Sequence, residues 1–172
     1  MRLALEQAVL AAGEGEVPVG AVLVSAGGEI LAMEHNRCEA EKLPTAHAEM
    51  LAVAAACRAL GDWRLTGCTL YVTLEPCPMC MGALIHARVS RVVYGAPDAR
   101  AGACGSLLCL QEYPLECRPQ VTRDLLRTEC LELLRRFFAG RRGGRQGERA
   151  RTEQGAVSPQ PGVAPPSASE SD

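Results

Sequence analysis

The sequence predicts an α/β domain in which helices pack against one sheet. Three observations support this prediction. Segments with the apolar spacing of helices alternate along the chain with short runs rich in β-branched and aromatic residues. The chain has 172 residues, of which 48% are hydrophobic, enough for one domain with a buried core. Beyond about residue 140 the composition becomes polar, so we expect the domain to span residues 1–140.

The chain is predicted to begin with a helix and a strand pair. Residues 1–13 have the apolar spacing of an amphipathic helix, and Glu6 interrupts the apolar run that a signal peptide would need. Residues 17–36 are typical of two strands joined by a Gly-Gly turn. No apolar run in the sequence is long enough to cross a membrane, so we expect a cytoplasmic protein.

A helix, a strand and another helix follow. Residues 45–60 predict a helix rich in alanine and leucine, with Thr45 as its N-cap. The β-branched and aromatic run at residues 68–74 predicts a strand. Residues 77–89 predict a further helix, because Pro78 suits the first turn of a helix.

The last predicted elements are a strand at residues 91–97 and an amphipathic helix at residues 122–140, which ends at Gly140. Residues 141–172 are rich in Gly, Pro, Ser and charged residues. We expect this tail to be disordered, because it has too few apolar groups to offset the entropy lost on ordering.

Charge is distributed unevenly along the chain. The net charge is −2, so the charge of the chain as a whole does not indicate affinity for nucleic acid. Seven arginines lie between Arg135 and Arg151, and only Glu148 opposes them there. The cluster is either a solvated helix end with its tail or a binding surface for phosphates, and composition alone favours the first interpretation.

The stretch EPCPMC contains Cys77 and Cys80 with two residues between them. The chain has nine cysteines, an odd number, and several lie in apolar segments as small buried hydrophobes do. In a reducing compartment, a Cys-x-x-Cys pair indicates metal or thiol chemistry rather than a structural disulfide.

A second motif, His47-Ala48-Glu49, lies 30 residues before Cys77. One histidine and two cysteines are ligands that zinc prefers, and three protein ligands would leave a fourth position for water. Both motifs lie at predicted helix N-termini, where the helix dipoles favour thiolate and hydroxide. Glu49 could then serve as the base that takes a proton from the activated water.

Other interpretations of these motifs stay open. A structural zinc site would need a fourth protein ligand, which His35, His86 or another cysteine could supply. A redox dithiol would use the two cysteines but would leave the histidine motif without a role. Glu49 could also simply complement the dipole of its helix.

The two motifs together resemble the zinc signature of the cytidine/deoxycytidylate deaminase superfamily, His-x-Glu followed by Pro-Cys-x-x-Cys. Within it, the chain is similar to the bacterial tRNA-specific adenosine deaminases over about residues 1–139, through EVPVGAVLV, HNR, PTAHAEM, LYVTLEPCPMC, GALIHARVSRVVYGAPDARAGACGS and LLRRFF. This resemblance implies a three-layer α-β-α fold of the cytidine deaminase type with a mixed five-stranded sheet. It also implies one zinc ion per subunit and a homodimer.

The resemblance implies an activity and a set of site residues. The activity is hydrolysis of adenosine to inosine at the wobble position of an arginine tRNA, whose anticodon stem-loop is the partner. His47, Cys77 and Cys80 become the zinc ligands, and Glu49 becomes the catalytic proton shuttle. The residues that it assigns to substrate binding are Val17, Asn36, Ala48, Leu74, Asp98, Arg100, Phe137 and Phe138.

Three other functions remain open from the sequence: a deaminase of free guanine, cytosine or nucleotides, a non-catalytic RNA-binding zinc protein, and a redox dithiol protein. Asn36 could be only a turn residue, and the apolar residues of the proposed substrate site could belong to the core. The sequence departs from the family pattern at Pro97, where a basic residue often stands. Cys104 and Cys109 match no family feature.

Overall fold

The computed structural model describes residues 1–154, with side chains for residues 1–141. Residues 1–138 form one compact unit. The strands are β1 (Gly20–Val24), β2 (Ile30–His35), β3 (Thr69–Leu74), β4 (Arg91–Ala96) and β5 (Gln120–Thr122). The helices are α1 (Arg2–Gly13), α2 (Cys38–Glu41), α3 (Ala48–Leu60), α4 (Pro78–His86) and α5 (Arg127–Gln154), with a 3-10 helix at Leu110–Glu112.

The five strands form one mixed sheet in the order β2-β1-β3-β4-β5. Strand β1 runs antiparallel to both β2 and β3, while β3, β4 and β5 are parallel to one another. Parallel strands need crossover connections, and α4 supplies the one between β3 and β4. The mixed five-stranded sheet that the resemblance implies is therefore confirmed.

Helices cover both faces of the sheet. On β1, Ala21 and Leu23 point into a core shared with α3 and α4. Gly20 points to the opposite face, where a Cβ atom would collide with the backbone of α1. On β4, a Cβ atom at Gly95 would likewise collide with Cys130 of α5. Neighbouring residues of a strand point to opposite faces of the sheet. Helix α1 and the start of α5 therefore cover one face, and α3 and α4 cover the other face. The domain thus has three layers, with the sheet in the middle.

The carboxyl ends of β3 and β4 lie at the same edge of the sheet, because these strands are parallel. The chain leaves β3 directly into α4 and leaves β4 into a loop over residues 97–106. This edge is where ligand sites form in open α/β sheets. Among the described residues, no helix combines the length and apolar character that crossing a bilayer requires.

The sequence misplaced the start of α3. The helix begins at Ala48 with His47 as its N-cap, not with Thr45. The reason is a backbone hydrogen bond of 3.0 Å from the Arg37 N–H to the Ala46 carbonyl, which fixes the residues before the helix to the end of β2. The His47 side chain is consequently presented at the end of the helix.

The last helix also differs from its prediction. The sequence predicts a helix over 122–140, whereas residues 120–122 pair with β4 as strand β5 and the helix runs over Arg127–Gln154. A glycine lowers helix stability by only about 1 kcal/mol relative to alanine, so Gly140 need not end a helix flanked by arginines. The helix includes residues 141–154 of the predicted tail, and residues 155–172 lie outside the described part of the chain. The domain boundary after residue 140 stays a prediction.

Candidate metal centre and pocket

Three potential metal ligands meet where α3 and α4 begin. His47 and Cys77 are the N-cap residues of these helices, and Cys80 lies in the first turn of α4. His47 Nδ1 lies 3.8 Å from Cys77 Sγ and 3.5 Å from Cys80 Sγ. A tetrahedral zinc ion with bonds of about 2.0–2.3 Å spaces its ligand atoms by about 3.3–3.8 Å. The three side chains fit a tetrahedral ion, with one coordination position left for a further ligand.

Neither of the other histidines joins this group. His35 lies between Gln7 Oε1 and Glu14 Oε2, at 3.2 and 3.1 Å from its two ring nitrogens. His86, at the far end of α4, stacks on Trp63 with the ring centroids 5.7 Å apart. The described residues thus bring three ligands to the site, as a catalytic metal centre needs, and not the four of a typical structural zinc site.

The two thiols of the group have opposite pKa shifts. The hydrogen bond that Cys77 accepts from the Cys80 thiol, with a weaker contribution from His47, lowers the pKa of Cys77 to about 4. The same hydrogen bond, together with burial, raises the pKa of Cys80. One negative charge is therefore shared between two sulfur atoms, and a divalent cation beside both would favour the thiolate form of each.

Glu49 lies in the first turn of α3, two residues beyond His47. Its side chain is buried, with the residue only 4% exposed, yet it lines a pocket that also reaches His47 and Cys77. Burial raises the pKa of the Glu49 carboxyl above its ordinary value. A carboxylate with a raised pKa can both accept and return a proton near neutral pH.

The pocket over the candidate metal centre has a volume of about 330 Å³. Four of the residues that the resemblance assigns to substrate binding line it: Val17, Asn36, Leu74 and Asp98. A neighbouring pocket of about 440 Å³ shares Val17, Leu74 and Asp98 with the first. Because the two pockets share these walls, they lie side by side.

The other four residues that the resemblance assigns to substrate binding lie in different places. Arg100 and Phe138 line the neighbouring pocket. Phe137 is half-buried and contacts Phe138 edge to face, with the ring centroids 5.4 Å apart, but it is not part of either wall. Ala48 is fully buried, because its methyl group packs in the core beneath the first turn of α3. The Ala48 side chain therefore has no surface to offer a ligand.

Glu16 is a pocket residue that the sequence did not reveal. It is 1% exposed, and its carboxylate accepts a 3.0 Å hydrogen bond from Asn36 Nδ2 and a 2.8 Å bond from the Ala40 N–H. Because a carboxylate only accepts, it forces the Asn36 amide to turn its NH₂ group toward Glu16. The Asn36 Oδ1 atom then faces Cys38, whose thiol donates to it at 3.4 Å. Glu16 therefore fixes the orientation of Asn36.

Glu75 holds the loop that follows β4. Its carboxylate accepts hydrogen bonds from the N–H groups of Asp98, Cys104 and Ser106 at 3.0, 2.9 and 3.0 Å, and from the Ser106 hydroxyl. A Cβ atom at Gly102 would collide with this carboxylate. Burial raises the pKa of Glu75, but the hydrogen bonds outweigh it and the net pKa is lowered. One buried side chain thus shapes the wall that carries Asp98.

We expect Glu75→Gln to lower the free energy of unfolding by about 2–4 kcal/mol near pH 7, because an amide NH₂ group would face backbone N–H donors. The folded-state pKa of Glu75 lies below its unfolded value, so its contribution is present above about pH 4.3 and is lost as pH falls through the folded pKa. Urea unfolding at neutral and acidic pH measures both effects. Glu116→Gln, at an exposed position, is the control. Equal stability of both variants at neutral pH would contradict the role of Glu75.

Comparison with known proteins gives consistent matches. A sequence model of the family described as the cytidine and deoxycytidylate deaminase zinc-binding region matches residues 1–96. The chain is 50% identical over 139 residues to a tRNA-specific adenosine deaminase of Bacillus subtilis (strain 168), covering 80% of this chain and 86% of the relative.

Solved structures give two informative neighbours. One structure comes from work on A-to-I editing by tRNA:A34 deaminases, with a TM-score of 0.76 and 44% identity. The match covers 78% of this chain and 97% of that chain. The second structure is a guanine deaminase from Nitrosomonas europaea, with a TM-score of 0.64 and 26% identity. The match covers 79% of this chain and 81% of that chain.

Proposed function

The chain belongs to the cytidine and deoxycytidylate deaminase family, matched here over its zinc-binding region, and we propose that it hydrolyses adenosine to inosine at the wobble position of a tRNA. The observation that carries this proposal is the three-ligand group beside buried Glu49 at the base of a pocket. The choice of substrate is supported by the 50% identity to a tRNA-specific adenosine deaminase.

In this proposal His47, Cys77 and Cys80 hold one zinc ion per chain, which when bound activates a water molecule as a nucleophile. Glu49 takes one proton from that water, and the oxygen adds to C6 of adenine. Glu49 returns that proton to N1, then takes the proton of the new C6 hydroxyl and passes it to the departing amino group. Water is consumed, ammonia is released and inosine remains, so atoms and charge balance.

The two adjacent pockets offer contacts for a base and for its neighbour. We propose that Asn36 hydrogen-bonds the target base, while Val17 and Leu74 provide apolar walls. In the neighbouring pocket, Phe138 supplies an aromatic face and Arg100 a positive charge for an adjacent nucleotide. A base leaves its stack more easily in a single-stranded loop than in a duplex, which favours an anticodon loop as substrate.

Glu16→Gln is expected to reduce kcat/KM for an anticodon stem-loop by about 10–100-fold. The reason is that a hydrogen bond to a buried charge contributes about 1.5–3 kcal/mol, and without it the Asn36 amide can rotate. Steady-state kinetics measures the change, and thermal unfolding shows whether the fold persists. Glu29→Gln, in the exposed turn between β1 and β2, should leave kcat/KM unaltered. A Glu16→Gln enzyme as active as that control would remove Glu16 from the site.

A second candidate function is deamination of free guanine, favoured by the similarity to the guanine deaminase structure. The two functions are separated by comparing the purified protein on three substrates: an anticodon stem-loop with adenosine at position 34, the same RNA with guanosine there, and free guanine. We expect inosine from the first RNA and no ammonia from the others. Efficient release of ammonia from free guanine, without inosine in the RNA, would favour the second function.

Several finer features complete the proposal. We infer that an arginine tRNA is a substrate, that two chains form a homodimer, and that the enzyme acts in the cytoplasm. Arg135 and Arg136 are exposed near the end of the described side chains, where positive charge could meet RNA phosphates. A salt-dependent affinity for the stem-loop would accompany such contacts.

A further inference from the structure

Two cysteines outside the metal centre face each other across a tight hairpin. Cys104 and Cys109 are opposite partners in an antiparallel β-bridge. Backbone hydrogen bonds of 2.7 and 3.0 Å flank this pair on its two sides, joining Gly105 to Leu108 and Ala103 to Leu110. The cysteines therefore occupy a non-hydrogen-bonded position of the ladder, where opposite side chains approach most closely.

The backbone geometry of this position suits a disulfide. Non-hydrogen-bonded partners have Cα atoms about 4.5 Å apart, and disulfides join Cα atoms about 4.4–6.8 Å apart. Directly opposite residues also place their side chains on the same face of the ladder. Both cysteines are free thiols.

The environments of the two sulfur atoms differ. Cys109 is half-buried, and its Sγ accepts a 3.0 Å hydrogen bond from Gln111 Nε2. Cys104 is fully buried, and its thiol lies 3.5 Å from the Met81 sulfur. A reagent in solvent can therefore reach Cys109 first, while Cys104 reacts only with a partner already on the hairpin.

We propose that Cys104 and Cys109 form a redox modification site, at which a low-molecular-weight disulfide converts the two thiols reversibly to a disulfide. The Cys109 thiolate attacks one sulfur of the reagent, forming a mixed disulfide and releasing one thiolate. The Cys104 thiolate then attacks the Cys109 sulfur and releases the second thiolate. The protein gives up two electrons, the reagent accepts them, and the two cysteine protons end on the two released thiols.

This site adds a function beyond the proposed deamination, and it lies beside a wall of the pocket over the metal centre. The Cys104 N–H donates to Glu75, the carboxylate that also holds Asp98. A bond between the two cysteines would close the hairpin of residues 104–109 covalently beside that anchor. Burial raises the pKa of Cys104 to about 12, so the second step should be slow at neutral pH.

The test uses the full, zinc-loaded chain with oxidised glutathione as the reagent. After oxidation, free thiols are alkylated and the protein is digested without reduction by trypsin and a protease that cleaves after glutamate. Cleavage after Arg100 and Glu112 isolates residues 101–112, which contain these two cysteines and no others. We expect the mass of this peptide to be lower than that of its dithiol form by the mass of two hydrogen atoms. Treatment with a dithiol reductant should restore the dithiol mass.

Three cysteine variants test which residues form the disulfide. Cys109→Ser and Cys104→Ser should each abolish the mass change, whereas Cys117→Ser, at a neighbouring half-buried thiol, should retain it. Zinc content is measured in parallel to show that the metal centre is intact. Full alkylation of both cysteines after prolonged oxidation would overturn the proposal, and so would an equal yield of disulfides to Cys117. The test does not depend on deaminase activity, so its failure would leave the proposed function standing.

Discussion

Replacing Glu49 by glutamine is expected to lower the single-turnover rate of deamination by about 10²–10⁴-fold, the usual contribution of a positioned proton-transfer group. Glutamine has nearly the same shape, so the buried first turn of α3 should pack as before. It cannot accept a proton from water or return one to the leaving group. The lost rate should therefore appear in the chemical step and not in RNA affinity.

Single-turnover kinetics with excess enzyme isolates that step, and elemental analysis checks the zinc content. Glu41→Gln is a matched control, because Glu41 is an exposed carboxylate on α2 whose contact is an ion pair with Arg37 at 2.9 Å. If both variants retain zinc and Glu41→Gln has the wild-type rate, the lost deamination rate is due to the Glu49 carboxylate. A near-normal rate for Glu49→Gln would contradict its role as proton shuttle.

Replacing Cys80 by serine is expected to reduce the zinc content from about one ion per chain to a small fraction, since two ligands remain of three. The ligands connect the starts of α3 and α4, so the metal also stabilises the fold. A ligand present at about 1,000 times its Kd stabilises the folded state by about 4 kcal/mol, and the variant should lose stabilisation of that order. Cys77→Ser should behave in the same way.

Elemental analysis and thermal unfolding, each with and without a chelator, test this expectation. Chelation should lower the unfolding temperature of the wild type and leave that of Cys80→Ser nearly unchanged. Cys57→Ser is the control, because Cys57 lies on α3 away from the metal centre and donates to the Trp63 carbonyl. Full zinc occupancy in Cys80→Ser would exclude this cysteine from the site.

Local signals made the metal centre predictable. The Pro-Cys-x-x-Cys stretch and the His-x-Glu stretch both mark helix starts, and a ligand at a helix start can point past the end of the helix. The structure brings the side chains of His47, Cys77 and Cys80 within one ligand sphere. The resemblance added Val17, Asn36, Leu74 and Asp98, which do line the pocket over this group.

Other features depend on contacts between distant residues. Glu16 and Glu75 look like ordinary surface acids in sequence, and only folding surrounds them with donors from residues 20 to 31 positions away. Strand β5 is only three residues long, and it is defined by its pairing with β4. The start of α3 is set by a hydrogen bond to the end of β2, so the favourable capping residue Thr45 did not determine it.

Inosine sequencing of a tRNA pool incubated with the purified, zinc-loaded protein is the direct test of deamination at the wobble position. We expect new inosine at position 34 of tRNAs whose anticodon begins with adenosine, with an arginine tRNA among them, and none after incubation with Glu49→Gln. Adenosine elsewhere in the same tRNAs should remain unchanged, because the anticodon loop presents the accessible base. Absence of inosine at position 34 with the zinc-loaded wild-type protein would contradict the proposed function.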